Sequence, residues 1–152
     1  VTEFSTVERS TVIAAPAASI LPHLTDFSKW TAWSPWEGQD PEMKRSYAGT
    51  PGATGSTYAW NGNRKAGAGT MAVTHVDPHA LDVDLHFTRP FKSTSAIRFD
   101  LEEADGSTTV VWSMRSPKTV QSRVMGVFLN MDTLIGTDFE KGLAKFKTVV
   151  EG

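Results

Sequence analysis

Polar and apolar residues alternate with a period of two through the middle of the chain, and the period lengthens to about 3.6 near its end. Leu81, Val83, Leu85 and Phe87 fall on one side of residues 81–88 and Asp82, Asp84, His86 and Thr88 on the other, the pattern of a strand wet on one face. Ile97, Phe99 and Leu101 alternate with Arg98, Asp100 and Glu102 as far as the Ala104-Asp105-Gly106 turn, and Val110, Trp112 and Met114 then alternate with Val111, Ser113 and Arg115. These two runs predict a hairpin. Residues 44–47, 57–60 and 69–76 read as earlier strands, separated by the glycine-rich stretch 49–55, by Asn61-Gly62-Asn63 and, before residue 81, by Asp77-Pro78. Asn and Gly tolerate positive φ, so the second of these separators is a strong hairpin signal.

From about residue 120 the spacing of Met131, Ile135, Phe139, Leu143, Phe146 and Val150 predicts a long amphipathic helix running to the end. Gly126, Gly136 and Gly142 each weaken such a helix by about 1 kcal/mol relative to alanine, which predicts a break or a close packing contact near one of them. At the other end, residues 7–13 form a first strand stopped by Ala14-Ala15-Pro16, and the proline starts a short helix over residues 17–24. Asp26 caps a second short helix carrying Phe27 and Trp30. Trp33-Ser34-Pro35-Trp36 is irregular, because a residue before proline avoids the helical region, and the tryptophan-rich stretch 33–43 is a candidate lid. The order is strand, two short helices, about six strands and a long helix, and the apolar sheet face and the helix stripe must meet to form a core.

Composition narrows what such a domain does. At 152 residues, with no repeat and no linker composition, the chain reads as one domain over residues 1–152. It has no cysteine, which removes disulfides, thiolate nucleophiles and sulfur-ligated metals. A formal charge of −2 does not supply the basic face that nucleic acid requires, so no nucleic-acid partner is expected. No apolar run approaches the roughly 20 residues of a transmembrane segment, and the basic and apolar parts of a signal peptide are not evident. The expected location is cytoplasmic, as a monomer or a dimer.

Specific strings add a resemblance. Val12-Ile13-Ala14-Ala15-Pro16, Asp26 through Trp30, Trp33-Ser34-Pro35-Trp36 and Asp40-Pro41-Glu42-Met43 are followed by Tyr47-Ala48-Gly49-Thr50-Pro51-Gly52 and Trp60-Asn61-Gly62-Asn63. Gly67-Ala68-Gly69-Thr70-Met71, Arg89-Pro90-Phe91, Met131-Asp132 and Ile135 through Leu143 complete the set. Together they resemble the polyketide cyclase/dehydrase branch of the START-like (SRPBCC) superfamily across essentially the whole chain. The resemblance implies an α+β helix-grip fold: a curved antiparallel sheet of about seven strands around a long C-terminal helix, with two short helices after the first strand and a cavity between sheet and helix. It carries no universal catalytic motif and implies no cofactor.

The residues that fit a cavity wall are bulky aromatics and methionines, which accept apolar and often planar molecules. Trp33, Trp60, Met71, Phe87, Trp112, Met114, Phe128, Met131 and Ile135 are the predicted ligand-binding residues. The expected function is binding of a small apolar molecule, polyketide-like, isoprenoid or lipid. The alternative is a metal-free cyclase or dehydratase in which Tyr58, Asn61 and Arg89 supply polar groups. Other chemistry is less well supported. His75 and His79 have a four-residue spacing, but Asp77-Pro78 between them makes a turn rather than a metal-binding helix. Alternation puts His86 on the wet face, His23 reads as a surface residue, and no serine sits in a G-x-S-x-G elbow.

Overall fold

The computed structural model describes residues 4–34, 42–63, 67–89, 92–117 and 127–152. Strand β1 (Phe4–Ile13) leads into helix α1 (Ala17–Thr25) and a 3-10 helix (Phe27–Ala32). Six strands follow, β2 (Lys44–Ala48), β3 (Thr57–Asn61), β4 (Ala68–Asp77), β5 (Ala80–Arg89), β6 (Ser93–Ala104) and β7 (Ser107–Pro117), before the final helix α2 (Val127–Glu151). The sheet has seven strands in the order β1-β7-β6-β5-β4-β3-β2, every neighbouring pair antiparallel. The helix-grip architecture that the resemblance implies is present, with each strand at least one residue longer than its alternation marked.

Local chemistry accounts for the joints. Pro16 stands just before α1 with φ −72 and ψ 155, extended geometry that its ring favours. The first free N–H of that helix, on Ala17, donates to Glu103 Oε1 of β6 at 2.7 Å, and Thr108 Oγ1 of β7 donates to the Ala15 carbonyl at 2.8 Å. The turn into α1 is thereby tied to the far end of the β6–β7 hairpin. Asp26 caps the 3-10 helix by accepting from the Ser28 N–H at 3.0 Å. Between β6 and β7, Asp105 and Gly106 both take positive φ, 54° and 81°, as a two-residue hairpin turn requires.

Cross-strand register aligns the inward-facing residues into rows, since partners across an antiparallel ladder project to the same side. One row runs Val7, Met114, Ile97, Val83, Val73, and the next runs Arg9, Trp112, Phe99, Leu81. Helix α2 covers these rows from the β1 side and runs in the same direction as that strand. Arg9 Nε lies 3.7 Å from Glu140 Oε2, Lys147 Nζ donates to the Val12 carbonyl at 2.7 Å, and Glu151 Oε2 accepts from the Ala14 N–H at 2.8 Å.

The helix is unbroken at Gly136 and Gly142. The helix packs closely at the first: a Cβ at Gly136 would stand 2.2 Å from Nη2 of the Arg9 side chain. The predicted helix start near residue 120, Gly126 and most of the predicted lid, residues 35–41 with Trp36, lie outside the described residues.

Candidate functional site

The inner face divides into two regions of different character. Toward β1, β7 and β6 the aromatic side chains form a closed block. Trp112 stacks on Phe139 of α2 with ring centroids 3.9 Å apart and planes 9° from parallel. Phe99 also stacks on Trp112, at 5.2 Å. Trp33, just past the 3-10 helix, meets Trp112 edge-on at 5.5 Å and Phe146 at 5.0 Å. Trp30 lies 4.8 Å from Trp33 and donates its indole N–H to the Leu24 carbonyl at 2.8 Å. Rings so arranged combine a large apolar burial with the edge-to-face and offset contacts that aromatic quadrupoles favour.

Toward β5, β4, β3 and β2 the same face is partly open: Tyr58, Met71 and Leu85 are buried, but Tyr47, Trp60 and Phe87 keep accessible surface. The row Tyr47, Tyr58, Met71, Leu85 crosses four strands, and beyond it lie Trp60, Gly69 and Phe87. Tyr58 stacks between Tyr47 at 5.1 Å and Trp60 at 5.9 Å, and Trp60 meets Phe87 edge-on at 5.4 Å. Tyr47 is 46% exposed, and Trp60 and Phe87 are only half-buried. Gly69 makes this possible: a Cβ there would lie 2.7 Å from Trp60 Cη2 and 2.3 Å from the His86 carbonyl oxygen. The indole occupies the space that any other residue would fill.

The predicted wall residues therefore separate. Trp60, Met71 and Phe87 come together in the open region, and Met114 lies further along the sheet, in the Val7–Ile97 row. Trp33 and Trp112 are inside the closed block, 1% and 0% exposed. Phe128, Met131 and Ile135 belong to the first turns of α2, and their side chains lie outside those described.

The polar candidates also separate. The β4–β5 register shifts between Ala68 and Gly69, so Arg89 pairs with Ala68 rather than continuing the Phe87 row. Ala68 is also the partner of Asn61, which puts Arg89 on the side of Asn61 and opposite Trp60. Arg89 Nη2 donates to Asn61 Oδ1 and, at 2.7 Å, to the Gly62 carbonyl. Tyr58 faces inward among aromatic rings, so the three do not converge on one point. Pro90 and Phe91 lie outside the described residues.

One pair of inward polar groups escaped the sequence reading. The row of Tyr58, Met71 and Leu85 continues to Ser95 on β6, where Ser95 Oγ and Ser116 Oγ of β7 share a hydrogen bond of 2.8 Å. The alternation that marks Ile97 and Met114 as inward, extended by two residues, identifies both serines.

The histidines take other roles. His75 Nε2 and Asp77 Oδ2 are 2.8 Å apart and the His79 N–H donates to Asp77 Oδ1 at 2.8 Å, an arrangement that holds the β4–β5 turn and lowers the Asp77 pKa. His86 is exposed. His23, expected at the surface, is half-buried with its ring edge-on to Phe146 at 6.2 Å. Burial first, and Lys29 second, lower its pKa. On the outer face Arg98 bridges Asp82 at 2.7 Å and Asp100 at 2.9 Å, which raises its pKa. Among the described residues no group of three or more His, Asp or Glu comes together to hold a metal ion, and no helix is long and apolar enough to cross a membrane.

A model of the family described as polyketide cyclase/dehydrase and lipid transport matches residues 5–151. The chain belongs to this family. No curated protein matches the sequence. Among solved structures, the Zhui aromatase/cyclase from Streptomyces sp. R1128 superposes with a TM-score of 0.71 at 13% identity, over 98% of this chain and 94% of that one. A Staphylococcus aureus protein of unknown function, SA2116, gives 0.73 at 11% identity over 99% and 95% of the two chains. The Aha1 dimer from Colwellia psychrerythraea gives 0.62 at 19% identity over 97% and 96%. At these identities the likeness is one of fold. A polyketide cyclase/dehydrase family member with this helix-grip fold has an inner face suited to a hydrophobic-ligand or cyclase role, while catalytic groups are not dictated by the fold.

Proposed function

We propose that this protein binds a small, largely apolar molecule on the open part of the inner face, over β3–β5. The observation that carries this reading is the half-buried pair Trp60 and Phe87 lying beside Tyr58 and Met71. Toward the β1 edge of the same face, aromatic side chains of the same kind are sealed by α2. Flat rings left partly wet on a sheet face gain by covering with apolar surface, at about 25 cal/mol per Å² removed from water. A ligand of about 20 heavy atoms, at roughly 0.3 to 0.4 kcal/mol per atom, would bind with about −6 to −8 kcal/mol, in the micromolar range. That strength suits carriage or sequestration. The mutual engagement of Asn61 and Arg89, on the side away from Trp60, favours binding over proton transfer by this trio.

The test compares native and denaturing mass spectra of freshly purified protein and then titrates it with a panel of polyketide-like and isoprenoid compounds, following tryptophan emission. An apolar adduct that leaves on unfolding, or micromolar saturation by a panel member that Trp60→Ala weakens, is the expected result. A clean spectrum together with no saturable binding across the panel rejects the reading.

A further inference from the structure

Resting on this binding reading, the geometry points to a ligand with one neutral oxygen, a ketone, ester carbonyl or hydroxyl, received by the Ser95–Ser116 pair while its apolar body lies toward Trp60. The polarity of the inner face changes across the strands. Tyr58, Met71 and Leu85 give way in the same row to Ser95 and Ser116, and the Trp60, Gly69, Phe87 row likewise ends at Ser93 of β6. Along the row Val83, Ile97, Met114 the corresponding positions are apolar. Among the inward positions of β6 and β7, serine thus occurs only in the rows that reach the open region.

Hydroxyl chemistry sets what the pair accepts. Two serines carry two donor hydrogens and four acceptor lone pairs, and among the described residues their side chains bond only to each other. That bond consumes one hydrogen and one lone pair, so one donor and several acceptor positions remain. Ser116 is 8% exposed, and a buried donor without a partner is costly. A carbonyl oxygen takes that donor, and a hydroxyl both takes it and gives a hydrogen back. With strands about 4.8 Å apart, Met71 and Ser95 are separated by roughly 10 Å, so two or three fused rings bridge the aromatic floor and the hydroxyl pair.

The experiment measures equilibrium dialysis of two probes of one shape, 2-acetylnaphthalene and 2-ethylnaphthalene, against wild type, the double variant S95A/S116A and the hydroxyl-retaining Ser95→Thr. Removing both hydroxyls leaves no unpaired partner behind, so the sheet is expected to hold, and the thermal unfolding midpoint confirms it. The double variant is expected to bind the ketone about three- to tenfold more weakly and the hydrocarbon as before, with Ser95→Thr retaining the wild-type preference. Unchanged ketone affinity in a double variant that binds both probes overturns the inference and leaves apolar binding intact. Equal loss of both probes overturns it in favour of a structural role for the pair. Failure of both probes to bind wild type removes the binding reading and the inference together.

Discussion

The two halves of the inner face use the same residue types to opposite ends. Near β1, β7 and β6, Trp33, Phe99, Trp112, Phe139 and Phe146 pack ring on ring with at most 1% of any one exposed. Near β2 to β5, Tyr47, Tyr58, Trp60 and Phe87 also touch ring to ring, yet most retain accessible surface. The difference lies in what covers them. Helix α2 lies along β1 and places Phe139, Leu143 and Phe146 against the first group, whereas the second group packs on its own neighbours on the sheet, with Phe27 6.2 Å from Tyr58. An aromatic cluster becomes core where a second layer seals it, and its rings keep accessible surface where the seal is incomplete.

Truncation should separate the halves most sharply. Phe139→Ala removes the ring stacked on Trp112 and opens a cavity in the closed block, so a loss of about 3 to 5 kcal/mol is expected in urea unfolding. Gly69→Ala should cost about 1 to 3 kcal/mol, because the added methyl meets the His86 carbonyl as well as the Trp60 ring. The same substitution should shift tryptophan emission by displacing Trp60. Trp60→Ala, on a half-wet ring, should cost only about 1 kcal/mol while weakening apolar ligands. Equal destabilisation by Phe139→Ala and Trp60→Ala would erase the distinction between the halves.

Smaller effects sharpen the same contrast. Ser56, just before β3, continues the Tyr58 and Trp60 alternation, is 4% exposed, and its Oγ has no hydrogen-bond partner among the described residues. Ser56→Ala should therefore stabilise by up to about 1 kcal/mol, read as a higher urea midpoint. The smallest effect is at His23, which abuts the closed block through Phe146. Its folded pKa lies below the ordinary 6.5, so the unfolded chain binds the proton more tightly. The contribution of His23 to stability is complete above that value and declines as pH falls through it toward the folded pKa. The thermal midpoint of wild type should drop more between about pH 7 and pH 5 than that of His23→Gln.

Much of this molecule could be read from local patterns. The alternation in residues 81–88 and 97–101, the Asp105-Gly106 turn, the cap at Asp26 and the helical spacing of Phe139, Leu143 and Phe146 each depend on residues a few positions apart, and each appears in the structure as the pattern indicates. What an inward position does once it faces inward is set by distant parts of the chain. Trp112 and Trp60 look alike in sequence, and only the course of α2 along β1 makes the first a core residue and leaves the second half open. A single register shift at Ala68 carries Arg89 away from Phe87 to join Asn61, which no alternation foretells because a bulge resets the period. The sequence by itself determined which residues share a face. Tertiary structure decided which of them are covered, because burial is a property of two layers and periodicity describes only one.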